Sequence, residues 1–355
     1  MSKALLTLTL AIAVGLLCGV PVRGAIQDDD ARAALFERYT ESLRRFTHVP
    51  GLSAAIIRNG RTIWSKGLGF QDVESRVAAT PDTLYDVASL TKTFTSTLLL
   101  QCVERGTLSL DERMSRYTTA IPEAEATVRH VLSHSSQAPA GTAYRYDGNR
   151  FAALTAVVSA CHGKPFRQAL AEILDRAAMT SSVPGHDLEQ PPASLAALFD
   201  APTLSRYTGA IRRLATPYVR SGDAVSRTDF PPRDINASAG LLSSVADLAN
   251  YDAAIDMNLF ISAASQSLAW TNAQSPTGAS FPYGLGWFSQ RVGATRVIWH
   301  YGQWAQYSAL YIKVPEQRLT LIMLANSGGL GEMFPLAAGD VMVSPFARTF
   351  LGLFL

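Results

Sequence analysis

Residues 83–94 read Thr-Leu-Tyr-Asp-Val-Ala-Ser-Leu-Thr-Lys-Thr-Phe, with a serine and a lysine three positions apart. On a helix, residues i and i+3 lie on one face about a turn apart, so the Lys92 amine can reach the Ser89 hydroxyl. A serine hydroxyl is a weak nucleophile until a base takes its proton. Lysine can act as that base only when burial or nearby positive charge lowers its pKa from about 10.4. The pair therefore predicts a nucleophile, Ser89, and its activating base, Lys92.

The same residues have a purely structural interpretation. Ser89 could be a helix N-cap, and Lys92 could be a solvated residue of the first helical turn. The chain has only five lysines, and a single short S-x-x-K match is a weak signal on its own. The motifs that follow therefore decide between the two interpretations.

Further motifs follow residues 83–94 in a fixed order. They are ERGTLSLD at 104–111, VLSHSS at 131–136, GLLSSVADL at 240–248, YGLGW at 283–287, His300-Tyr301-Gly302, and Leu324-Ala325-Asn326. Together they resemble the class C β-lactamase and penicillin-binding-protein-like serine hydrolases, from about Gly51 to Leu355. The resemblance implies a β-lactamase/transpeptidase-like fold and hydrolysis through an acyl-enzyme, without a cofactor. It also implies that the block around His134 supports the site rather than reacting.

The second catalytic element of that family is a Tyr-x-Asn motif, which by resemblance falls on Tyr146-Asp147-Gly148. Tyr146 would then shuttle protons with Lys92. Gly148 departs from the motif, because it lacks the amide that would bind a substrate's acylamino group and steady the lysine. Asn149 is the nearest amide that could partly replace it. The departure argues against efficient β-lactam turnover more than against acyl transfer itself.

The third element, Lys-Thr-Gly in true lactamases, is His300-Tyr301-Gly302 here. A histidine is mostly neutral at pH 7, so it lacks the fixed charge that binds a substrate carboxylate. The H-x-G form resembles the esterase- and peptidase-like branches of the family. The resemblance implies a substrate contact from His300, with a strand residue that makes no such contact as the alternative, and an oxyanion hole formed by the backbone N–H groups of Ser89 and Gln303. Gly302 would let a substrate lie close to the strand, and Trp304 would line the site.

The distribution of strand and helix patterns predicts an α/β architecture with an antiparallel sheet built from both chain termini. Strand patterns precede residue 80 and follow residue 280, with Asn59-Gly60 as a hairpin turn, and helical patterns lie between. We expect a discontinuous sheet domain, residues 25–80 plus 280–355, and a mainly helical domain, 81–279. The proline-rich segment 181–235 should be irregular and shape the site. A final helix should run from about residue 331 to the C-terminus.

Composition limits the partners and the compartment. With 31 Lys and Arg against 29 Asp and Glu, no strong field favours nucleic acid, and no spacing suggests a metal site. Residues 1–24 read as a signal peptide, which predicts export to the periplasm or secretion and no stable membrane span after cleavage; a retained N-terminal anchor is the alternative. Cys102 and Cys161 lie in apolar helical stretches, which favours two buried thiols over a disulfide. The oligomeric state is left open.

Three functions remain compatible with these patterns. The favoured one is a serine hydrolase that acts on an ester or a peptide-like amide. The second is a class C-type β-lactamase or a D-alanyl-D-alanine carboxypeptidase. The third is a penicillin-recognising binder that does not turn its ligand over.

Overall fold

The computed structural model describes residues 22–137, 139–230 and 232–355. The predicted signal peptide, residues 1–24, lies outside these ranges except for residues 22–24, which begin the first helix. The described part contains twelve strands: β1 Gly51–Arg58, β2 Arg61–Asp72, β3 Val77–Ala78, β4 Tyr85–Asp86, β5 Val183–Pro184, β6 Tyr218–Ser221, β7 Ala224–Arg227, β8 Leu241–Ser243, β9 Phe288–Val292, β10 Thr295–Gln303, β11 Ser308–Val314 and β12 Leu319–Ala325. It also contains eleven α-helices: α1 Val22–Phe46, α2 Thr91–Glu104, α3 Val128–Leu132, α4 Gly148–Ala152, α5 Leu154–His162, α6 Phe166–Arg176, α7 Ala193–Ala196, α8 Ala201–Ile211, α9 Val245–Asp256, α10 Ala263–Trp270 and α11 Pro345–Phe354.

The main sheet combines strands from the two ends of the chain. Its order is β3-β2-β1-β12-β11-β10-β9, and every neighbouring pair is antiparallel. The β1–β12 pair joins the halves, with Leu52 opposite Ala325 and Arg58 opposite Leu319. Asn59 and Gly60 both have positive φ, 54° and 73°, as the predicted two-residue hairpin turn requires. The predicted α/β fold with an antiparallel sheet from both termini is confirmed.

Alternating side chains of the central strands enter two separate cores. Ala54, Ile56 and Met323 face one core, where they join α1 and α11 through residues such as Phe36 and Phe350. Ala55, Ile57, Ile322 and Leu324 face the other core, where they meet α2 and the helical block. This period-two pattern explains why β1 and β12 are apolar on both faces. The second core packs α2, the helix that carries Lys92, against the sheet.

Two sequence-based expectations about local structure were wrong. The C-terminal helix does not begin near residue 331: two short 3₁₀ turns come first, and α11 starts at Pro345. Gly339 adopts a left-handed φ of 93°, and Pro335 removes a backbone donor, so a continuous helix cannot form there. The segment 181–235 is also more regular than expected, because it holds α8 and the β6–β7 hairpin.

Cys102 and Cys161 form a disulfide, so the interpretation as two buried thiols was wrong. The cysteines end α2 and α5, which lie side by side, and their Cα atoms are 6.0 Å apart. The bond links residues separated by 59 positions in the chain. It closes the loop that contains α3, α4 and Tyr146.

Replacing both cysteines by alanine should lower the melting temperature. Opening a loop of this length costs about 2–4 kcal/mol, which for a chain of this size corresponds to roughly 3–6 °C. Differential scanning calorimetry of the wild type and the Cys102→Ala/Cys161→Ala variant measures the difference. Non-reducing peptide mapping that recovers both cysteines as free thiols from the folded wild type would contradict the assignment.

Within the described ranges, no helix combines the length and the apolar character needed to cross a membrane.

Candidate active site

Ser89 lies on a strained turn between β4 and α2. Ala88, which precedes it, has a positive φ of 47°, a conformation that costs energy for any residue with a Cβ. Asp86 holds this turn, because its buried Oδ1 accepts hydrogen bonds from the Ala88 N–H at 2.7 Å and from Trp304 Nε1 at 3.1 Å. Burial raises the pKa of Asp86 to about 6. The turn leaves Ser89 partly exposed while its neighbours Ala88 and Leu90 are buried.

Lys92 lies in the first turn of α2, with Nζ 2.8 Å from Ser89 Oγ. The side chain is completely buried, and burial lowers the pKa of Lys92 to about 7 although the Asp147 carboxylate opposes the shift. A large fraction of the amine is therefore neutral near pH 7 and can accept the serine proton.

Ser238 completes the environment of the amine. Lys92 Nζ lies 2.8 Å from Ser238 Oγ and 3.1 Å from the Ser238 carbonyl oxygen. Ser238 stands 146 residues away from Lys92, in the loop before β8. No pattern in the sequence pointed to this contact.

Tyr146 presents a buried, unbonded hydroxyl beside the nucleophile. Its Oη makes no hydrogen bond to the described residues. Burial raises the pKa of Tyr146 well above its usual value, the neighbouring Tyr301 raises it further, and Ser89 opposes the shift. The ring lies 5.2 Å from Lys92 Nζ. Tyr146 is not among the residues that line the pocket at Ser89, so its hydroxyl lies behind the pocket wall with its hydrogen-bonding capacity unused.

His134 supports the segment that carries Tyr146. Its Nδ1 accepts a hydrogen bond from the Asp147 N–H at 3.1 Å, and its ring centroid lies 4.2 Å from that of Tyr146. Burial holds the pKa of His134 well below its usual range, so the imidazole is neutral. The imidazole thus contacts the segment 146–147 through one hydrogen bond and one ring contact, and its supporting role remains a prediction.

His300 differs from its expected place, because the imidazole is fully buried and does not line the pocket around Ser89. Its Nδ1 lies 2.7 Å from the Tyr301 carbonyl oxygen, which can only accept, so Nδ1 carries the proton. The Tyr283 hydroxyl then donates to Nε2 at 2.7 Å. Burial lowers the pKa of His300 to about 3. His300 is therefore a neutral residue that the sheet and Tyr283 cover, and it is not part of the pocket wall.

Gly302 lets β10 approach the nucleophile turn closely. A Cβ at this position would overlap the Val87 carbonyl group. The glycine is therefore required by the contact between strand and turn, whereas the sequence suggested a contact with substrate.

The next residue, Gln303, has its N–H directed toward the nucleophile side. Trp304 N donates to the Tyr307 carbonyl at 2.8 Å, and alternation in an antiparallel ladder then turns the Gln303 N–H away from β11. The Ser89 N–H makes no hydrogen bond to the described residues. Among the described residues, the Ser89 N–H therefore has no partner and the Gln303 N–H points away from β11, and both residues line the pocket at Ser89.

A pocket of about 260 Å³ opens over Ser89. It is lined by Ser89, Gly148, Asn149, Ala152, Asn236, Ser238, Ala239, Gln303 and Trp304. A larger cavity of about 500 Å³ lies between Arg129 and Asn272, but within the described ranges no amine or imidazole nitrogen there bonds a serine hydroxyl. The contact between Lys92 and Ser89 identifies the smaller pocket as the candidate site, although the other cavity has a larger volume.

Comparison with protein families gives one match over most of the chain. The family described as Beta-lactamase matches residues 36–341. The chain belongs to this family. It is similar to Protein flp of Staphylococcus aureus (strain MW2), with 25% identity over 310 residues, which is 79% of this chain and 60% of that protein. The chain therefore spans less than two thirds of that relative's length.

Other similarities agree with the Beta-lactamase family. A 115-residue match, 35% identical, covers 28% of this chain and 21% of the mitochondrial Serine beta-lactamase-like protein LACTB of Mus musculus. The octameric penicillin-binding protein homologue from Pyrococcus abyssi superimposes with a TM-score of 0.72 and 22% identity, covering 90% of this chain and 77% of that one. A class C beta lactamase from Rhodobacter sphaeroides gives a TM-score of 0.67 and 18% identity, covering 91% and 98%. At these identities the two structures show the fold alone.

The described residues of this family member offer one group of metal-ligand types. Cys102, Cys161 and His162 place their ligand atoms within 4.8 Å of one another. The two sulfur atoms are bonded to each other, so they are not thiolates that could bind a metal.

Three residues near the nucleophile were missed by sequence reasoning. Asp86 and Ser238 hold the nucleophile turn and the lysine, and Asn236 fixes Ser238 by accepting its N–H at 2.8 Å. A carboxylate three residues before the nucleophile, in an otherwise apolar stretch, could have drawn attention to Asp86. Nothing local distinguishes Ser238 from the many other serines of the chain.

Proposed function

We propose that this Beta-lactamase-family chain hydrolyses a carboxylic ester or a peptide-like amide through an acyl-enzyme on Ser89. One observation carries the proposal: the partly exposed Ser89 hydroxyl lies 2.8 Å from the amine of a buried lysine whose pKa is about 7. A surface lysine at its ordinary pKa would be protonated and could not accept the serine proton.

In the acylation step, Ser89 Oγ attacks the substrate carbonyl carbon while its proton passes to Lys92 Nζ. The oxygen that becomes negative lies between the N–H groups of Ser89 and Gln303, which stabilise it. When the tetrahedral intermediate collapses, the bond to the alcohol or amine breaks. The departing group takes a proton through the Tyr146 hydroxyl, which Lys92 resupplies.

Deacylation repeats the sequence with water as the nucleophile. Tyr146 and Lys92 accept a proton from water as its oxygen attacks the acyl carbon. Collapse breaks the bond to Ser89 Oγ, which recovers its proton, and a carboxylic acid leaves. No cofactor takes part in this proposal.

The charges around the nucleophile favour an uncharged ester. His300 is neutral and buried, so it gives no cation at the position where a lysine would bind a substrate carboxylate. Gly148 gives no amide for an acylamino group, although Asn149 and Trp304 line the pocket beside it. These features support ester turnover over efficient lactam turnover.

One exposed cation favours the second candidate, hydrolysis of a substrate with a free carboxylate. The Arg233 guanidinium lies 4.8 Å from the Trp304 ring centroid and 5.3 Å from that of Phe230. It is exposed, and its positive charge partly offsets the rise in pKa that burial causes at the Asp86 carboxyl, without forming an ion pair with it in the described ranges. Because Trp304 lines the pocket, Arg233 could bind a carboxylate at its rim.

We also propose that the chain is exported. The positively charged and apolar N-terminal segment supports this, and so does the Cys102–Cys161 disulfide, because disulfides persist mainly in oxidising compartments.

A substrate panel tests the proposed function. We expect p-nitrophenyl butyrate to be hydrolysed with a kcat/KM at least roughly 10²-fold above those of nitrocefin and a D-alanyl dipeptide, since the site lacks the cation and amide that those substrates need. Faster nitrocefin or dipeptide turnover would favour the second candidate. In that case Arg233→Gln should lower kcat/KM for the carboxylate-bearing substrates alone. Stoichiometric labelling without turnover would identify a binder.

A further inference from the structure

Gly148 has no side chain, and another residue fills the space next to it. A Cβ at residue 148 would lie 3.2 Å from Ser238 Oγ and 3.8 Å from Lys92 Nζ. The first distance is tighter than an ordinary van der Waals contact, so a larger residue at 148 fits only if Ser238 gives way. The Ser238 hydroxyl therefore occupies the space beside Lys92 that a side chain at 148 would fill.

Three oxygen atoms surround Lys92 Nζ. A neutral amine can form a hydrogen bond with each of them, because it has two N–H donors and one lone pair. The carbonyl oxygen of Ser238, at 3.1 Å, can only accept a hydrogen bond. If Ser238 Oγ, at 2.8 Å, accepts the second N–H, the lone pair is left to face Ser89 Oγ, also at 2.8 Å. Both contacts with Ser238 thus direct the basic lone pair toward the nucleophile.

The segment that carries Ser238 is held in place from several sides. Asn236 Oδ1 accepts the Ser238 N–H at 2.8 Å. Thr155 Oγ1 accepts the Ala237 N–H at 2.9 Å, and Thr95 Oγ1 donates to the Ala237 carbonyl at 2.7 Å. These bonds tie the loop to α5 and to α2, the helix that carries Lys92. Ser238 is 7% exposed, so its hydroxyl has little freedom to turn away.

We propose that Ser238 is the positioning residue for Lys92, and that its hydroxyl takes the place of an asparagine at residue 148. Because this role presupposes the acyl-transfer function proposed above, it deepens that function rather than adding another. Serine at 238 and glycine at 148 then form a matched pair. Changing either residue alone disturbs the lysine, whereas exchanging both restores its surroundings.

The first test is Ser238→Ala, assayed as p-nitrophenyl butyrate hydrolysis across pH. We expect kcat to fall about 10- to 100-fold, the range for a lost hydrogen bond to an ionisable group, with KM changed by less than about threefold. The ammonium form gains more from the Ser238 acceptor than the neutral amine does. Its loss should therefore lower the pKa of Lys92 and move the acid limb of kcat/KM to lower pH. An unchanged acid limb with kcat within about twofold of the wild type overturns the proposal.

The second test exchanges the pair. Gly148→Asn alone should lower kcat, because its side chain meets the Ser238 hydroxyl. The double variant Gly148→Asn/Ser238→Ala should return to within about fivefold of the wild type, since the asparagine amide can then reach Lys92. Losses that simply multiply in the double variant would show that the two positions are independent and would overturn the proposal.

A third measurement does not depend on turnover. The sequence has only five lysines, so the ε-¹³C signal of Lys92 can be resolved by NMR and titrated directly. We expect its midpoint to fall in Ser238→Ala and to recover in the double variant. Ser182→Ala is the matched control: Ser182 is also buried, but its hydroxyl bonds Asp247, and it should leave the Lys92 titration unchanged.

The titration also separates two kinds of failure. A wild type that neither hydrolyses esters nor acylates Ser89 would refute the proposed function, while the Lys92 titration would still measure the Ser238 contact. An active wild type whose Lys92 midpoint is identical in Ser238→Ala would refute the positioning role alone.

Discussion

Replacement of Ser89 by alanine is expected to lower kcat for ester hydrolysis by roughly 10⁴-fold or more, because no other group can form the acyl-enzyme. Lys92, Tyr146 and the two backbone N–H groups would remain in place. They could still polarise a bound carbonyl, so a small residual rate above that in water is consistent with the mechanism. Initial rates with p-nitrophenyl butyrate at saturating substrate measure the loss.

The same variant allows the covalent intermediate to be tested directly. A fluorophosphonate probe should add one label to the wild type at Ser89, found by intact-mass and peptide analysis, and none to Ser89→Ala. Ser109→Ala is a suitable control, since Ser109 is exposed and lies outside the site. Labelling of Ser89→Ala to the wild-type extent, or ester turnover within about tenfold of the wild type, would show that the nucleophile is another residue.

The sequence predicted those parts of the fold that depend on residues close together in the chain. The Asn59-Gly60 turn and the apolar stretches of β1, β11 and β12 gave the strands, because side-chain alternation and turn conformation are local properties. The short edge strand β9 gives a weaker signal, since its five residues show no clear alternation of burial. The helix expected from residue 331 does not form, because Pro335 lacks a backbone donor and Gly339 has a left-handed φ.

In the candidate site too, contacts between residues close in the chain could be predicted, and contacts between distant residues could not. Ser89 and Lys92 are one helical turn apart, so their spacing allows a contact, and the resemblance of the other motifs to a known family favoured it over a solvated lysine. The contacts of Lys92 with Ser238 and of Asp86 with Trp304 join residues 146 and 218 positions apart, and only the folded chain brings them together. The Cys102–Cys161 bond was misjudged for that reason: its formation depends on how α2 lies against α5.

The burial of His300 follows from its position in β10. Successive side chains of a strand face opposite sides, and the His300 side chain lies where Tyr283 and Phe288 cover it. The histidine was expected to contact substrate because it occupies the place of a lysine that does. A neutral imidazole tolerates this burial, whereas a lysine would need a partner for its charge. Under the proposed function, the neutral imidazole gives this position no cation for an anionic substrate.

The pH dependence of the wild type should report the ionisation of Lys92. Burial lowers the pKa of Lys92 to about 7, and only the neutral amine can accept the Ser89 proton. We therefore expect kcat/KM for a neutral ester to rise about tenfold per pH unit below pH 7 and to level off above it. A profile measured from pH 5 to pH 9 locates the midpoint. An acid limb centred below pH 5, or one still rising at pH 9, would exclude Lys92 as the base.

Lys92→Arg should lower the plateau value of kcat/KM, measured above pH 7, by about 10³-fold and should abolish the acid limb centred near pH 7. Arginine keeps the positive charge and most of the length, but its guanidinium does not give up a proton and cannot act as a base. Lys92→Met, which is nearly isosteric and carries no charge, should be equally inactive. A variant with arginine that keeps a tenth of the wild-type rate would reduce Lys92 to an electrostatic role.

The thermal stability of Lys92→Met separates lost chemistry from lost structure. The pKa of Lys92 is about 7 in the folded chain and about 10.4 in an unfolded one, so the unfolded state binds more protons between these values. The contribution of Lys92 to the free energy of unfolding is therefore lowest below pH 7 and rises between pH 7 and about pH 10. Methionine removes that penalty, so Lys92→Met should melt at or above the wild-type temperature at pH 7 while its activity is lost. A lower melting temperature for Lys92→Met would mean that the hydrogen bonds of Lys92 with Ser238 outweigh the cost of burying its charge.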